Sequence, residues 1–194
     1  MKIKCLVLDA MGVVFQAGDD IAELLIPFLA EKDGSRDTSL INKIYIDASS
    51  GKMSSEEFWN AVGVDSSLED NYLDRHELKP GILGLLKSCE KHGIPVWCLS
   101  NDLTQWSEKL RSKFDLTTYF QGAVISEEAH CRKPDSKIYE ILIRRSGFKA
   151  NELLFVDDRK KNVDAAKQLG IDTILFSENS DFSEIAEALG IIDY

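Results

Sequence analysis

The apolar positions of the chain fall into two regimes. Short continuous runs at Leu6-Val7-Leu8, Pro95-Val96-Trp97-Cys98-Leu99, Ala123-Val124-Ile125, Leu153-Leu154-Phe155-Val156 and Thr173-Ile174-Leu175-Phe176 are too short for helices. Runs this short and this apolar suit strands buried on both faces, the habit of a parallel sheet. Between them lie longer stretches at helical spacing. These cover 80–92 closed by Gly93, 103–113, a helix with Pro134 at its first position reaching Ser146-Gly147, 160–169 closed by Gly170, and 181–189. Strands alternating with helices of this length predict an α/β fold with a doubly wound, Rossmann-like parallel sheet.

The alternation stops between Phe15 and Lys79, where the pattern is helical only. Asp19 and Asp20 offer N-caps for a stripe through Ile21, Leu24, Leu25 and Phe28, and Pro27 within it predicts a kink or an early end. A second helix runs through Leu40, Ile41, Ile44 and Tyr45 and stops near Gly51. Ser54-Ser55-Glu56-Glu57 is a capping box opening a third, with Phe58, Trp59 and Val62. A fourth starts at Asp65 and runs towards Leu78. Residues 16–79 therefore read as a helical bundle inserted after the first strand, leaving 1–15 and 80–194 as the α/β core domain. The aromatic stripe reads as bundle core. Trp59 or Trp106, if exposed, would serve an interface; oligomeric state is otherwise not legible.

A length of 194 residues allows one core carrying an insertion. The net charge of −10 argues against nucleic acid or an anionic membrane as the main partner, while leaving room for a small phosphorylated ligand. Cys5, Cys89, Cys98 and Cys131 show no C-x-x-C spacing, so reduced thiols and a cytoplasmic protein are expected. The first apolar run is interrupted by Asp9 and lacks the form of a secretory signal, and no stretch is long enough to span a membrane.

The candidate chemistry lies where the strands end. Asp9 follows the first run with Gly12 three residues on, Ser100 and Asn101 follow the second, Lys133 comes after the third, and Asp157-Asp158 close the fourth. A parallel sheet delivers these ends to one edge, where open α/β folds bind ligands. Three carboxylates against one lysine leave excess negative charge that calls for a proton or a cation. Oxygen-only ligands favour Mg²⁺, which retains waters and accepts a phosphate oxygen. Ser100 and Asn101 offer hydroxyl, amide and backbone donors to a phosphate, and Lys133 offers a point charge.

Leu8-Asp9-Ala10-Met11-Gly12-Val13-Val14, Leu99-Ser100-Asn101, Arg132-Lys133-Pro134 and Phe155-Val156-Asp157-Asp158 together resemble the four motifs of the haloacid dehalogenase (HAD) superfamily. The helical insertion resembles that superfamily's small C1 cap. Arg132-Lys133-Pro134-Asp135-x-x-Ile138-Tyr139 and Asp157-Asp158 with Asn162 are most similar to the α-D-glucose-1-phosphate phosphatase-like group and to the N-terminal phosphatase domain of soluble epoxide hydrolase. The resemblance implies a hydrolase in which Asp9 is the nucleophile and forms an aspartyl-phosphate. It implies Mg²⁺ held by Asp9, the Met11 carbonyl and Asp158. It further implies Asp157 orienting Lys133 and metal-bound water, Asn162 supporting that shell, and Ser100 and Asn101 binding the phosphoryl group of a small phosphorylated metabolite.

The departure is Met11, which stands where these phosphatases carry a second aspartate. A thioether cannot protonate a leaving alkoxide, and loss of general acid–base help typically costs on the order of 10² to 10⁴ in rate. The favoured reading is a phosphatase acting on a sugar phosphate or similar ester, whose acid is dispensable or comes from Asp102, Asp19, Asp20 or His130. A haloacid dehalogenase-type hydrolase is the second reading, with Arg36 holding a substrate carboxylate; Asp157-Asp158 counts against it, since a metal-free enzyme for anions would favour neutral groups there. The third is a catalytically weak HAD-like protein that binds a phosphorylated ligand without turnover.

Overall fold

A computed structural model describes residues 3–33, 37–177 and 180–192. Strand β1 (Cys5–Leu8) leads to a wide helical turn at Ile21–Leu25, α1 (Ile26–Asp33), α2 (Thr38–Ala48), α3 (Ser55–Ala61), a tight turn at Ser66–Leu68 and α4 (Glu69–Leu73). Regular alternation follows: α5 (Ile82–Lys91), β2 (Val96–Ser100), α6 (Thr104–Lys113), β3 (Phe120–Ile125), α7 (Ser126–Ala129) and α8 (Ser136–Ser146). A tight turn at Ala150–Glu152 precedes β4 (Leu153–Asp157), α9 (Lys160–Gln168), β5 (Asp172–Leu175) and α10 (Ser183–Leu189).

The five strands form one sheet in the order β3-β2-β1-β4-β5, every pairing parallel, with β1 at its centre. Successive side chains of a strand point to opposite faces, and both faces are covered here. Leu6, Leu8, Cys98, Leu154 and Val156 pack towards α5, α6 and α10, while Cys5, Val7, Trp97, Leu99 and Phe155 pack towards α8 and α9. This two-sided burial explains the unbroken apolar runs of β1, β2 and β4, whereas the edge strands β3 and β5 are only partly covered. All strand carboxyl ends, and hence Asp9, Ser100 and Asp157, reach the same edge.

The chain leaves the sheet region at Phe15 and comes back at Leu78, and the two crossings bond to one another. Gln16 N donates to Glu77 O at 2.9 Å and Lys79 N to Val14 O at 2.9 Å. Between them the capping box forms as expected, Ser54 Oγ accepting from Glu57 N at 3.2 Å and Glu57 Oε2 accepting from Ser54 N at 2.7 Å.

Several local expectations are corrected. Pro134 does not open α8; Asp135 is the N-cap, accepting from Lys137 N at 3.0 Å, because its carboxylate satisfies a donor that a proline start would leave open. Asp20 makes no capping bond, whereas Asp19 Oδ1 accepts from Ala22 N at 3.1 Å. Pro27 does not end the stripe: it is the second residue of α1, directly after the wide turn in which Ile26 N–H reaches back to Ile21 O. The helix opened near Asp65 ends at Leu73 rather than near Leu78, because the chain straightens to pair Leu78 with Phe15. Neither Trp59 (0% exposed) nor Trp106 (1%) is available to a partner. Both indole N–H groups donate to the buried carboxylate oxygen Glu69 Oε2, at 2.9 and 2.7 Å, and this joins the inserted helices to α6.

Candidate active site

β1 ends in Asp9, and Gly12 turns the chain sharply with φ of +76°. A Cβ at Gly12 would lie 2.6 Å from Asp158 Oδ2, so the glycine supplies both the left-handed turn and the room for Asp158 to approach. Asp9 is 6% exposed, and its Oδ1 accepts from Ala10 N at 2.7 Å.

Lys133, brought in by the loop between α7 and α8, is 4% exposed. Its ammonium spends its three hydrogens on three oxygens, each at 2.7 Å: Asp9 Oδ1, Asp157 Oδ2 and the Leu99 carbonyl. Asp157 is fully buried and fully bonded, Oδ1 also accepting from Arg159 N at 2.8 Å and both oxygens accepting from Asn162 Nδ2 at 3.0 Å. The backbone carbonyl of Asn162 in turn accepts from Tyr139 Oη at 2.9 Å. The Asn101 side-chain amide, one of the donors expected to face a phosphate, donates to Lys133 O at 3.0 Å and accepts from Lys133 N at 2.8 Å. The reason is local, since the peptide of Lys133 offers both partners at once.

The electrostatics follow from burial. Burial and the Asp157 carboxylate push Asp9 well above the ordinary carboxylate range, with Lys133 pulling it back. Burial opposes ionisation of Asp157 too, yet Lys133 and the surrounding donors hold it below its ordinary value. Asp158 is raised by burial and by Asp157. Burial alone would lower Lys133, and its two carboxylates raise it instead.

Asp9, Asp157 and Asp158 each place a carboxylate oxygen within 4.8 Å of the others. Asp158 Oδ1 is buried with no hydrogen-bond partner, a costly condition for a carboxylate oxygen. With Asp157 bonded throughout, the oxygens left for a cation belong to Asp158, Asp9 and nearby backbone carbonyls. That donor set is hard and oxygen-only, and it fits Mg²⁺.

A cavity of about 240 Å³ opens above these groups, lined by Asp9, Met11, Ser100, Asn101, Lys133 and Asn162 among others. Of the groups proposed to stand in for a missing acid, Asp19 and Asp20 line it, while Asp102 and His130 do not. Asp102 faces a separate small cavity beside Ser107 and Arg111, and His130 is exposed against Gly51. Arg36 lies outside the described residues. The sequence reading missed Arg132 and Arg159 as lining residues; Arg132, directly before Lys133, was legible only as part of a motif.

Residues 3–170 match the family model described as haloacid dehalogenase-like hydrolase. The chain belongs to the haloacid dehalogenase-like hydrolases. Among curated relatives, it is 27% identical over 131 residues to the ribulose-1,5-bisphosphate 5-phosphatase of Halopiger xanaduensis, an alignment covering 66% of this chain and 55% of that one. The chain thus spans about half the length of this and several other curated relatives. It is also 26% identical over 200 residues to the D-ribitol-5-phosphate phosphatase of Bacteroides thetaiotaomicron, covering 94% and 96% of the two chains. Among solved structures, it resembles a HAD family enzyme of Bacteroides thetaiotaomicron crystallised with magnesium and inorganic phosphate. The TM-score is 0.72 at 21% identity, over 94% of this chain and 98% of that one. The fold is therefore that of the HAD enzymes. No helix of the described residues is long and apolar enough to cross a membrane.

Proposed function

We propose that this HAD hydrolase is a Mg²⁺-dependent phosphatase of a small phosphomonoester, working through an aspartyl-phosphate on Asp9. The observation that carries this reading is the Lys133 ammonium held between Asp9 and Asp157, 2.7 Å from each, where Lys133 and Asp9 line the cavity and Asp158 Oδ1 is buried without a hydrogen-bond partner. A magnesium complex of a HAD structure and phosphatase relatives support it.

In this reading Asp9 attacks phosphorus in line with the leaving oxygen, and the P–O bond to the substrate breaks as the Asp9 O–P bond forms. Asp9, the Met11 carbonyl and Asp158 would hold the metal; when bound, it neutralises phosphoryl charge and lowers Asp9 into its ionised form. Lys133 keeps Asp9 oriented and adds positive charge at the transferring group. Asp157 and Asn162 fix Lys133. Ser100 binds a phosphoryl oxygen through its hydroxyl, and Asn101 contributes its backbone N–H while its side chain holds the Lys133 loop. Residues 16–79 act as a C1-type cap on a core of 1–15 and 80–194, lending Asp19, Asp20, Asn42 and Tyr45 to the cavity.

Asp20 is the acid we assign in place of the aspartate that Met11 displaces. It lines the cavity with Met11, is 5% exposed, and accepts from Tyr72 Oη at 3.2 Å. Burial pushes its carboxyl up to about 6, within reach of proton donation near neutrality. Asp19, by contrast, is exposed and engaged with Arg159 at 3.7 Å.

Purified protein with Mg²⁺ is expected to release phosphate from members of a sugar- and acyl-phosphate panel, and Asp9→Asn to abolish release. Silence across the panel, or release insensitive to chelator, overturns the reading.

A further inference from the structure

The cations lining the cavity are unequally compensated. Lys133 is neutralised by Asp9 and Asp157. Arg159 bonds the Gly18 carbonyl at 3.1 Å and lies 3.7 Å from Asp19 and 4.0 Å from Asp158. Arg132 and Lys161 form no ion pair among the described residues, although both line the same cavity. Arg132 Nη1 is in addition buried without a hydrogen-bond partner. The lining carboxylates are all committed elsewhere: Asp9 to Lys133, Asp19 to Arg159 and Ala22 N, and Asp20 to Tyr72. Asp102 lies within electrostatic range of Arg132 without bonding it.

Arg132 is also held in place. Its guanidinium carbon lies 5.4 Å from the Tyr45 ring centroid, and Tyr45 stacks on Trp106 at 6.2 Å and 21°. The Tyr45 hydroxyl is fixed by donation to the Asn101 carbonyl at 2.7 Å. An arginine laid on an aromatic plane keeps its fork rigid and its outer N–H groups free for a planar oxyanion. A buried donor left unmade is costly, and a ligand oxygen relieves that cost.

We propose that the substrate is a phosphomonoester bearing a second oxyanion, and that Arg132 on its Tyr45 platform receives that distal group while Lys161 adds charge at the rim. The inference rests on the phosphatase reading and adds the substrate class. Carboxylate and second phosphoryl group share this chemistry, and the test separates them.

With Mg²⁺-loaded protein, kcat/KM is compared on 3-phosphoglycerate against glycerol 3-phosphate, and on ribose 1,5-bisphosphate against ribose 5-phosphate. The member bearing the second oxyanion in at least one pair is expected to win by about 10- to 100-fold, the range of a charged hydrogen-bonded contact. The pair that shows the gain identifies the source. Arg132→Ala is expected to erase the advantage chiefly through KM, and Arg132→Lys to restore part of it. Equal rates within both pairs overturn this inference and leave the phosphatase reading intact, as does an Arg132→Ala loss of equal factor on the members with and without the second oxyanion. Silence on all four compounds and on the wider panel overturns both.

Discussion

The side-chain amide of Asn101 grips both backbone polar groups of Lys133, donating to its carbonyl at 3.0 Å and accepting from its N–H at 2.8 Å. The end of β2 thereby sets where the loop from α7 delivers its ammonium. Asn101→Asp would place an acceptor against the Lys133 carbonyl and lose one of the two bonds. We expect kcat to fall by about tenfold or more on every phosphate ester, since misplacement on the 1 Å scale can cost up to about 10²-fold. Steady-state kinetics beside a melting curve checks this: a fall in Tm with kcat preserved would refute the positioning role.

Gly12 and Asp158 form the second tight relationship, an added Cβ meeting Oδ2 at 2.6 Å. Gly12→Ala carries a conformational cost of roughly 1–2 kcal/mol from its φ of +76°. It also drives Asp158 from its place. The expected result is a rise in the Mg²⁺ concentration needed for half-maximal activity, read by metal titration; an unchanged requirement counts against Asp158 as a ligand.

Met11 and Asp20 allow the acid to be tested from two sides. Met11→Asp is expected to raise kcat most on esters with strongly basic leaving groups. Asp20→Asn is expected to lower kcat most on those same esters and to remove a limb of the pH–rate profile near 6, above which the wild-type acid is ionised. A uniform change across leaving groups in either variant would refute the assignment.

Asp102 and Glu69 give opposite pH dependences of stability. Burial pushes Asp102 up from 3.8 to about 8, its Oδ2 having no partner. Its stabilising neutral form is complete below about pH 4, and the contribution is lost as pH rises through about 8. Asp102→Asn keeps an acceptor for Leu103 N and should flatten that loss, so its Tm exceeds wild type at pH 8.5 and matches it near pH 4; a parallel offset at both would refute the cause.

Burial would raise Glu69, but Lys109, Ser55, Trp59 and Trp106 donate to it and lower it from 4.5 to about 2. Its contribution is present above about pH 4.5 and is lost as pH falls through about 2. Glu69→Gln should therefore destabilise near neutrality by about 2 kcal/mol, the order expected for indole donors left without a charged acceptor. Thermal melts at pH 7 and pH 2.5 measure it, and the gap should narrow at the lower pH.

The sequence by itself determined the five-stranded α/β alternation, because runs buried on both faces admit little polar residue and their lengths exclude helices. It also determined that Asp9, Lys133 and Asp157 meet, because parallel strands share one carboxyl edge whatever their order. It did not determine where a polar side chain finds its partner. Asn101 had a ligand and a neighbouring peptide as rival partners, and only the path of the Lys133 loop chose between them. The exposure of Trp106 was open in the sequence, and Glu69, in the inserted helices, supplies its buried acceptor. Arg132 became a candidate anion site only once the fold placed Tyr45 beneath it and left it with no ion pair among the described residues. Hydrophobic period is a local property of the chain, whereas the pairing of charges depends on which distant segments the packing brings within hydrogen-bond distance.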